Sequence, residues 1–303
     1  MPSVLGISGK IERKLLRLAF SEQWVIGARR QSAPGLPEGI EGCALLQPPL
    51  GRHYADPFVI AVNSRPCVFF EAWGDGHRKG VILFSTLESN LQWSSPQLAL
   101  ERPYHLSYPF VFAWKGDLYL LPETSHNRTI ELYRAVEFPQ RWTQAAVLME
   151  NVDALDTTLF AHDGRWWMFT AGLGDGAARY RSLWLFHAPS PLGPWQPHPS
   201  NPVLNNLGTA RPAGHLFSLD GQLIRPGQDC RWQYGHAISW NRVERLDEHE
   251  YQETCIAKLR PNLMAGWAAT HTFNQDGEWQ VLDGKRLVSR FADNHSIPGP
   301  VQL

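Results

Sequence analysis

One short pattern occurs five times along these 303 residues, and that recurrence limits the fold more than any other feature. YPFVFAWKGDLYLLPE starts at Tyr108: an apolar run, a turn carrying Gly116, then a second apolar run. The other copies are DPFVIAVNSRPCVFFEAW from Asp56, DTTLFAHDGRWWMFTA from Asp156, RPAGHLFSLDGQLIRPGQD from Arg211 and HTFNQDGEWQVLDG from His271. Glycine at a turn adopts positive φ at little cost, so each copy reads as a β-hairpin. The turn glycines Gly116, Gly164, Gly221 and Gly277 are 48, 57 and 56 residues apart, while the first copy turns at Val62 to Arg65 without one. A period near fifty residues fits one four-stranded propeller blade.

The expected fold is therefore all-β: a single five-bladed β-propeller with four-stranded antiparallel blades over about 53–100, 105–150, 153–205, 209–260 and 269–303. A strand at 23–28 is expected to close the last blade, because a ring needs closure. Residues 10–20 place Ile11, Leu15, Leu16 and Leu18 opposite Lys10, Arg13, Lys14 and Arg17. That spacing predicts a short N-terminal helix capping the propeller, with a membrane or partner helix as the alternative. Thirteen Trp and fourteen Phe suit broad contacts between blades.

A net charge of −1 carries no field for nucleic acid or an anionic membrane. No stretch reaches transmembrane length, and the first residues lack a signal-peptide core. Cys43, Cys67, Cys230 and Cys255 form no CxxC and no metal spacing. The expectation is reduced thiols, a cytoplasmic protein, and no metal or cofactor.

Antiparallel pairing sets the start of each inner strand beside the end of the next, so both converge on one mouth of the channel. The starts are Asp56, Tyr108, Asp156, Arg211 and His271; the ends are Glu71, Glu123, Thr170, Asp229 and Asp283. Polar groups meeting in one concavity define a candidate site. Each has a plainer reading. The aspartates serve as strand-start caps, Glu123 pairs with Arg128, Asp229 pairs with Arg225, and Asp283 before Gly284 is a turn residue. Tyr54, Trp73, Tyr104 and Tyr108 lie near the same mouth and offer aromatic faces to a sugar.

The strings ADPF, HLSYPFVF, PETSHNRTIELYRA, VDALDTTLF, DGRWWMFT, ARPAGHLF and SPLGPW carry a resemblance over roughly residues 50–285. The pattern resembles the arabinanase, xylosidase and levansucrase-like propeller glycosidases. At finer grain it resembles the N-terminal domain of plant glucosamine inositolphosphorylceramide transferase and its bacterial relatives. The glycosidase resemblance implies a base or nucleophile at Asp56, an orienting carboxylate at Asp156 and an acid Glu at the start of blade four. Arg211 stands there instead, and a guanidinium is a poor proton donor near neutral pH. Such an Arg either neutralises the carboxylates or docks an anionic ligand group.

Two functions follow as expectations. In the first, the protein cleaves or transfers a glycosyl unit of an anionic or amino-sugar-containing glycan, with Asp56, Glu123 and Asp156 catalytic. Glu71, Trp73, Tyr108, Arg128, Arg211, Asp229 and His271 would then contact the glycan or sugar phosphate. In the second, it is a non-catalytic glycan-binding propeller supporting a partner glycosyltransferase.

Overall fold

A computed structural model describes residues 20–31, 35–37, 39–74, 79–174 and 176–289. They form five antiparallel sheets arranged as blades, and in blades one to four the strands pair side by side in chain order from the innermost outwards. Blade one runs through Arg52–Val62, Arg65–Gly74, Val81–Thr86 and Gln97–Leu100. Blade two comprises Ser107–Trp114, Asp117–Thr124, Thr129–Glu137 and Arg141–Glu150. In blade three, Leu155–His162, Arg165–Ala171 and Ser182–Ala188 are followed by two-residue pieces, Gln196–Pro197 and Leu204–Asn205. The prolines and glycine of this stretch shorten the outer strand. Blade four contains Phe217–Leu219, Gln222–Asp229, Ala237–Leu246 and Tyr251–Leu259.

 In blade five the inner strands are Phe273–Asp276 and Trp279–Ser289, and the outer two come from the other end of the chain: Phe20–Arg30 and Ala44–Leu46.

That junction closes the ring. Phe20–Arg30 pairs with Trp279–Ser289 at every residue from Phe20↔Ser289 to Arg30↔Trp279, so the expected strand at 23–28 is real and longer. The short strand Trp267–Ala269 adds to the same sheet. The helix expected over residues 10–20 lies outside the described residues, except that Phe20 opens the closing strand. Residues 290–303 also lie outside them. In blade one the fourth strand lies just after Trp93, which bridges to Leu87 and donates its Nε1–H to the Ala44 carbonyl (3.2 Å). Among the described residues no helix is long and apolar enough to cross a membrane, and all four cysteines are free.

The inner hairpins of blades one to four each turn through a pair of left-handed residues. Asn63 and Ser64 do so in blade one, Lys115 and Gly116 in blade two, Asp163 and Gly164 in blade three, Asp220 and Gly221 in blade four. Two consecutive positive φ angles match the strand twist, which is why these turns hold tight hairpins. The apolar inner strands pack blade on blade. Phe58 and Phe110 are fully buried, with ring centroids 5.8 Å apart across the first two blades. Phe217 is buried against Phe273 of blade five, at 5.8 Å. Phe160 is only partly buried, at the edge of its cluster.

Candidate functional site

Three of the five inner strands carry the same irregularity at the mouth. Asp56, Tyr108 and Asp156 have φ of 52°, 44° and 52°, and the strand register slips there in each blade. A bulge puts an extra residue into one strand and re-aims its side chain, and bulges concentrate at barrel rims and functional sites. Here it turns these side chains into the channel. Two bulges are pinned by the preceding blade: Asp56 N–H donates to Asp283 Oδ2 (3.1 Å), and Asp156 N–H donates to Glu123 Oε2 (3.0 Å). The carboxylates at second-strand ends therefore do architectural work between blades.

Two buried ion-pair groups fill the mouth. In the first, His271 Nδ1 lies 2.6 Å from Asp283 Oδ2, and its Nε2 lies 3.6 Å from Asp56 Oδ1. Thr272 Oγ1 donates to Asp56 Oδ1 (2.6 Å), while the backbone N–H groups of His271 and Thr272 donate to Asp283 Oδ1. Burial alone would lower the His271 pKa, yet Asp283 and Asp56 raise it to about 9. His271 also stacks on Trp24, with centroids 4.3 Å apart. Asp283 is thus not a turn residue: it lies inside the strand Trp279–Ser289, fully buried. Asp56, Asp283 and His271 each offer one atom within 4.8 Å of the others, a spacing that a cation could bridge. The imidazolium already supplies the positive charge that these carboxylates need.

In the second group, Arg211 Nε donates to Asp156 Oδ2, and Gln228 Nε2 donates to the same oxygen (2.8 Å). Burial pushes the Asp156 carboxyl up to about 6 even though Arg211 pulls it down. Asp56 is likewise raised by burial, opposed by His271. Tyr108, fully buried, accepts from Gly214 N–H (2.6 Å) and bonds Thr158 Oγ1 (2.9 Å), so it plugs the shaft. Gly214 has to be glycine: a Cβ there would meet the Phe273 carbonyl oxygen at 1.9 Å, and φ is 135°.

Above these groups lies a pocket of about 550 Å³ over blades two to four. Blade two contributes Glu123, Ser125 and His126; blade three contributes Leu155, Arg179 and Tyr180; blade four contributes Leu207, Arg211, Cys230 and Tyr234. Glu123 Oε1 accepts from Ser125 Oγ (2.8 Å). The Tyr234 ring covers the Arg211 guanidinium at 4.8 Å and meets His271 edge-on at 5.5 Å.

Of the residues expected to form the site, Glu123 and Arg211 line this pocket, while Asp56, Asp156, Tyr108 and His271 are buried in the mouth beside or beneath it. The others have different partners. Glu71 is buried against His105 Nε2 (3.2 Å), and Trp73 stacks on His53 at 4.7 Å. Arg128 is exposed and faces Asp153 (3.8 Å) and the Asn151 carbonyl, not Glu123. Asp229 is held by Arg231 and Lys258, each at 2.6 Å. Arg225 instead forms a buried pair with Glu253 (2.6 Å) and a bond to Tyr251. Tyr104 donates to Glu131, and Tyr54 packs on Phe70 in the core. Ser125, His126, Arg179 and Tyr234 escaped the sequence reading because they sit on loops beyond the strand ends. The corner PETSHNRT was the one available signal for the first two.

Residues 23–275 match the family described as glucosamine inositolphosphorylceramide transferase 1, N-terminal. The chain belongs to this family. It is 34% identical over 260 residues to glucosamine inositolphosphorylceramide transferase 1 of Oryza sativa subsp. japonica, covering 81% of this chain and 35% of that protein. It is 35% identical over 203 residues to the Arabidopsis thaliana protein of the same name, covering 66% of this chain and 26% of that one. This family member therefore spans about a third or less of the curated relatives it matches. Among solved structures, a family 117 glycoside hydrolase from Zobellia galactanivorans superposes with a TM-score of 0.53 at 14% identity, covering 90% of this chain and 92% of that one. An exo-β-1,3-galactanase from Phanerochaete chrysosporium, solved with galactose, gives 0.53 at 15% identity over 75% of this chain and 54% of that one. At such identities the likeness shows the fold alone, which does not fix function.

Proposed function

We propose that this propeller is a glycan-recognition domain of a glycan-assembly system, holding a charged sugar in the pocket between Glu123 and Arg211. The observation that carries this reading is what has become of the carboxylates at the hydrolase positions. Asp56 and Asp156 are both buried, and each faces a cation of the protein itself, His271 and Arg211. A general base must reach the proton it abstracts, and a general acid must carry one to the leaving oxygen. Arg211 at the acid position does neither well, but a guanidinium suits a phosphate or carboxylate.

The pocket offers two kinds of charge. Arg211 and Arg179 suit an anionic group, and the Glu123 carboxylate suits an ammonium. An amino sugar bearing or neighbouring a phosphate satisfies both. The name of the plant relatives couples an amino sugar with a phosphorylated inositol lipid, which supports this ligand class.

Calorimetric titration with glucosamine 6-phosphate, glucosamine and glucose tests the reading. Wild type should prefer the phosphorylated amino sugar. Arg179 is partly exposed and pairs with Asp153 at 3.5 Å, so Arg179→Met spares the buried ion pairs. Losing a charge-assisted contact should weaken the phosphorylated ligand by about tenfold and leave glucose unchanged. Equal affinities for all three sugars would contradict it. A second reading, glycosyl cleavage or transfer, rests on Glu123, a carboxylate that lines the pocket. In that reading a glycoside screen finds turnover that Asp56→Asn abolishes; in ours there is none to abolish.

A further inference from the structure

Among the described residues, the three most exposed large apolar side chains are Met264 (98%), Trp232 (83%) and Leu263 (70%). Isolated apolar side chains on a surface are ordinary, but several on one face call for an explanation. All three leave the sheets at the mouth. Trp232 follows the end of the second strand of blade four, and Leu263 and Met264 follow the end of its fourth strand. Both strands run towards the mouth. The two loops are tied together: Gln233 Nε2 donates to the Ala268 carbonyl (3.2 Å), and Thr270 N–H donates to the His236 carbonyl (3.4 Å). Tyr180 and Leu207, half-exposed on the pocket rim, extend the apolar surface towards blade three.

Positive charges outnumber negative ones around these tips: Arg179, Arg181, Arg231, Lys258 and Arg260 stand against Glu41, Glu123, Asp153 and Asp229, and Asp229 is buried between Arg231 and Lys258. We infer that this face docks on an anionic lipid bilayer, with Trp232, Leu263 and Met264 entering the headgroup layer and the arginines meeting lipid phosphates. Trp favours the membrane interface, and basic residues gain from a negative surface. A second copy of this chain would bring the same arginines face to face. The segment before Phe20 carries Lys10, Arg13, Lys14 and Arg17, which the same rim would repel. An anionic surface complements both. The pocket opens on the same face, so a docked propeller would present it to the headgroups.

Cosedimentation of the full chain with vesicles tests this, using phosphatidylcholine alone or phosphatidylcholine mixed with phosphatidylserine. These lipids carry no sugar, so the result is independent of the glycan reading. Binding should be confined to the phosphatidylserine vesicles and should fall with added salt. The double variant Trp232→Ala, Met264→Ser should bind about tenfold more weakly, and Arg260→Glu should weaken binding as well, with melting temperatures unchanged. Equal binding of both vesicle types, or a double variant that binds like wild type, would overturn the proposal. Concentration-dependent dimers that the double variant abolishes would assign the face to a second copy. Loss of vesicle binding only on removal of residues 1–19 would assign it to that segment.

Discussion

His271 is held between Asp56 and Asp283, and its charge bears directly on stability. Its folded pKa of about 9 lies above the ordinary imidazole value of 6.5. The imidazolium therefore contributes stability that is fully present below pH 6.5 and is lost as pH rises through about 9. Asp156, raised to about 6 from 3.8, works in the same direction: its contribution is present below pH 3.8 and lost as pH rises through about 6. Chemical denaturation should accordingly give greater stability at pH 6 than at pH 9.5, and His271→Gln should flatten that difference. Greater stability at the higher pH would contradict the charge assignment. Packing gives a second expectation at this scale. Phe58→Ala and Phe110→Ala should each cost about 3–5 kcal/mol, with Phe160→Ala costing less because that ring is only partly buried.

The hairpins were legible because their apolar runs and turn residues are local, and the mouth positions of Asp56, Tyr108 and Asp156 followed from where each run begins. The ion pairs were not legible. Arg211 and Asp156 are 55 residues apart and His271 and Asp56 are more than two hundred apart, so no local pattern records which charges meet. Arg128 shows the opposite error: sequence proximity suggested Glu123, but its left-handed backbone (φ 58°) accompanies a side chain turned outward to Asp153. Among the elements, the closing strand Phe20–Arg30 matters most, since it is the third strand of blade five and pairs over its whole length. Removing residues 1–31 would leave the Trp279–Ser289 edge unpaired, and an open apolar edge invites association. Size-exclusion chromatography should then find aggregates or an expanded chain. A monomer with native melting behaviour would mean that the ring does not depend on this closure.

For the whole molecule, the ring brings loops from distant parts of the chain over one mouth and places a pocket off its axis, above blades two to four. The glycosidase-like fold is kept, but the axial carboxylates serve to hold neighbouring blades together. The charged side chains that line the pocket are Glu123 on one blade and Arg179 and Arg211 on the next two. The most direct measurement is a crystal structure with glucosamine 6-phosphate bound. The ligand should lie in this pocket, its phosphate within hydrogen-bond distance of Arg211 or Arg179 and its amine facing Glu123, with the Asp156–Arg211 pair intact. A sugar seated in the shaft against Asp56, with Arg211 drawn away from Asp156, would contradict the account and restore the hydrolase arrangement.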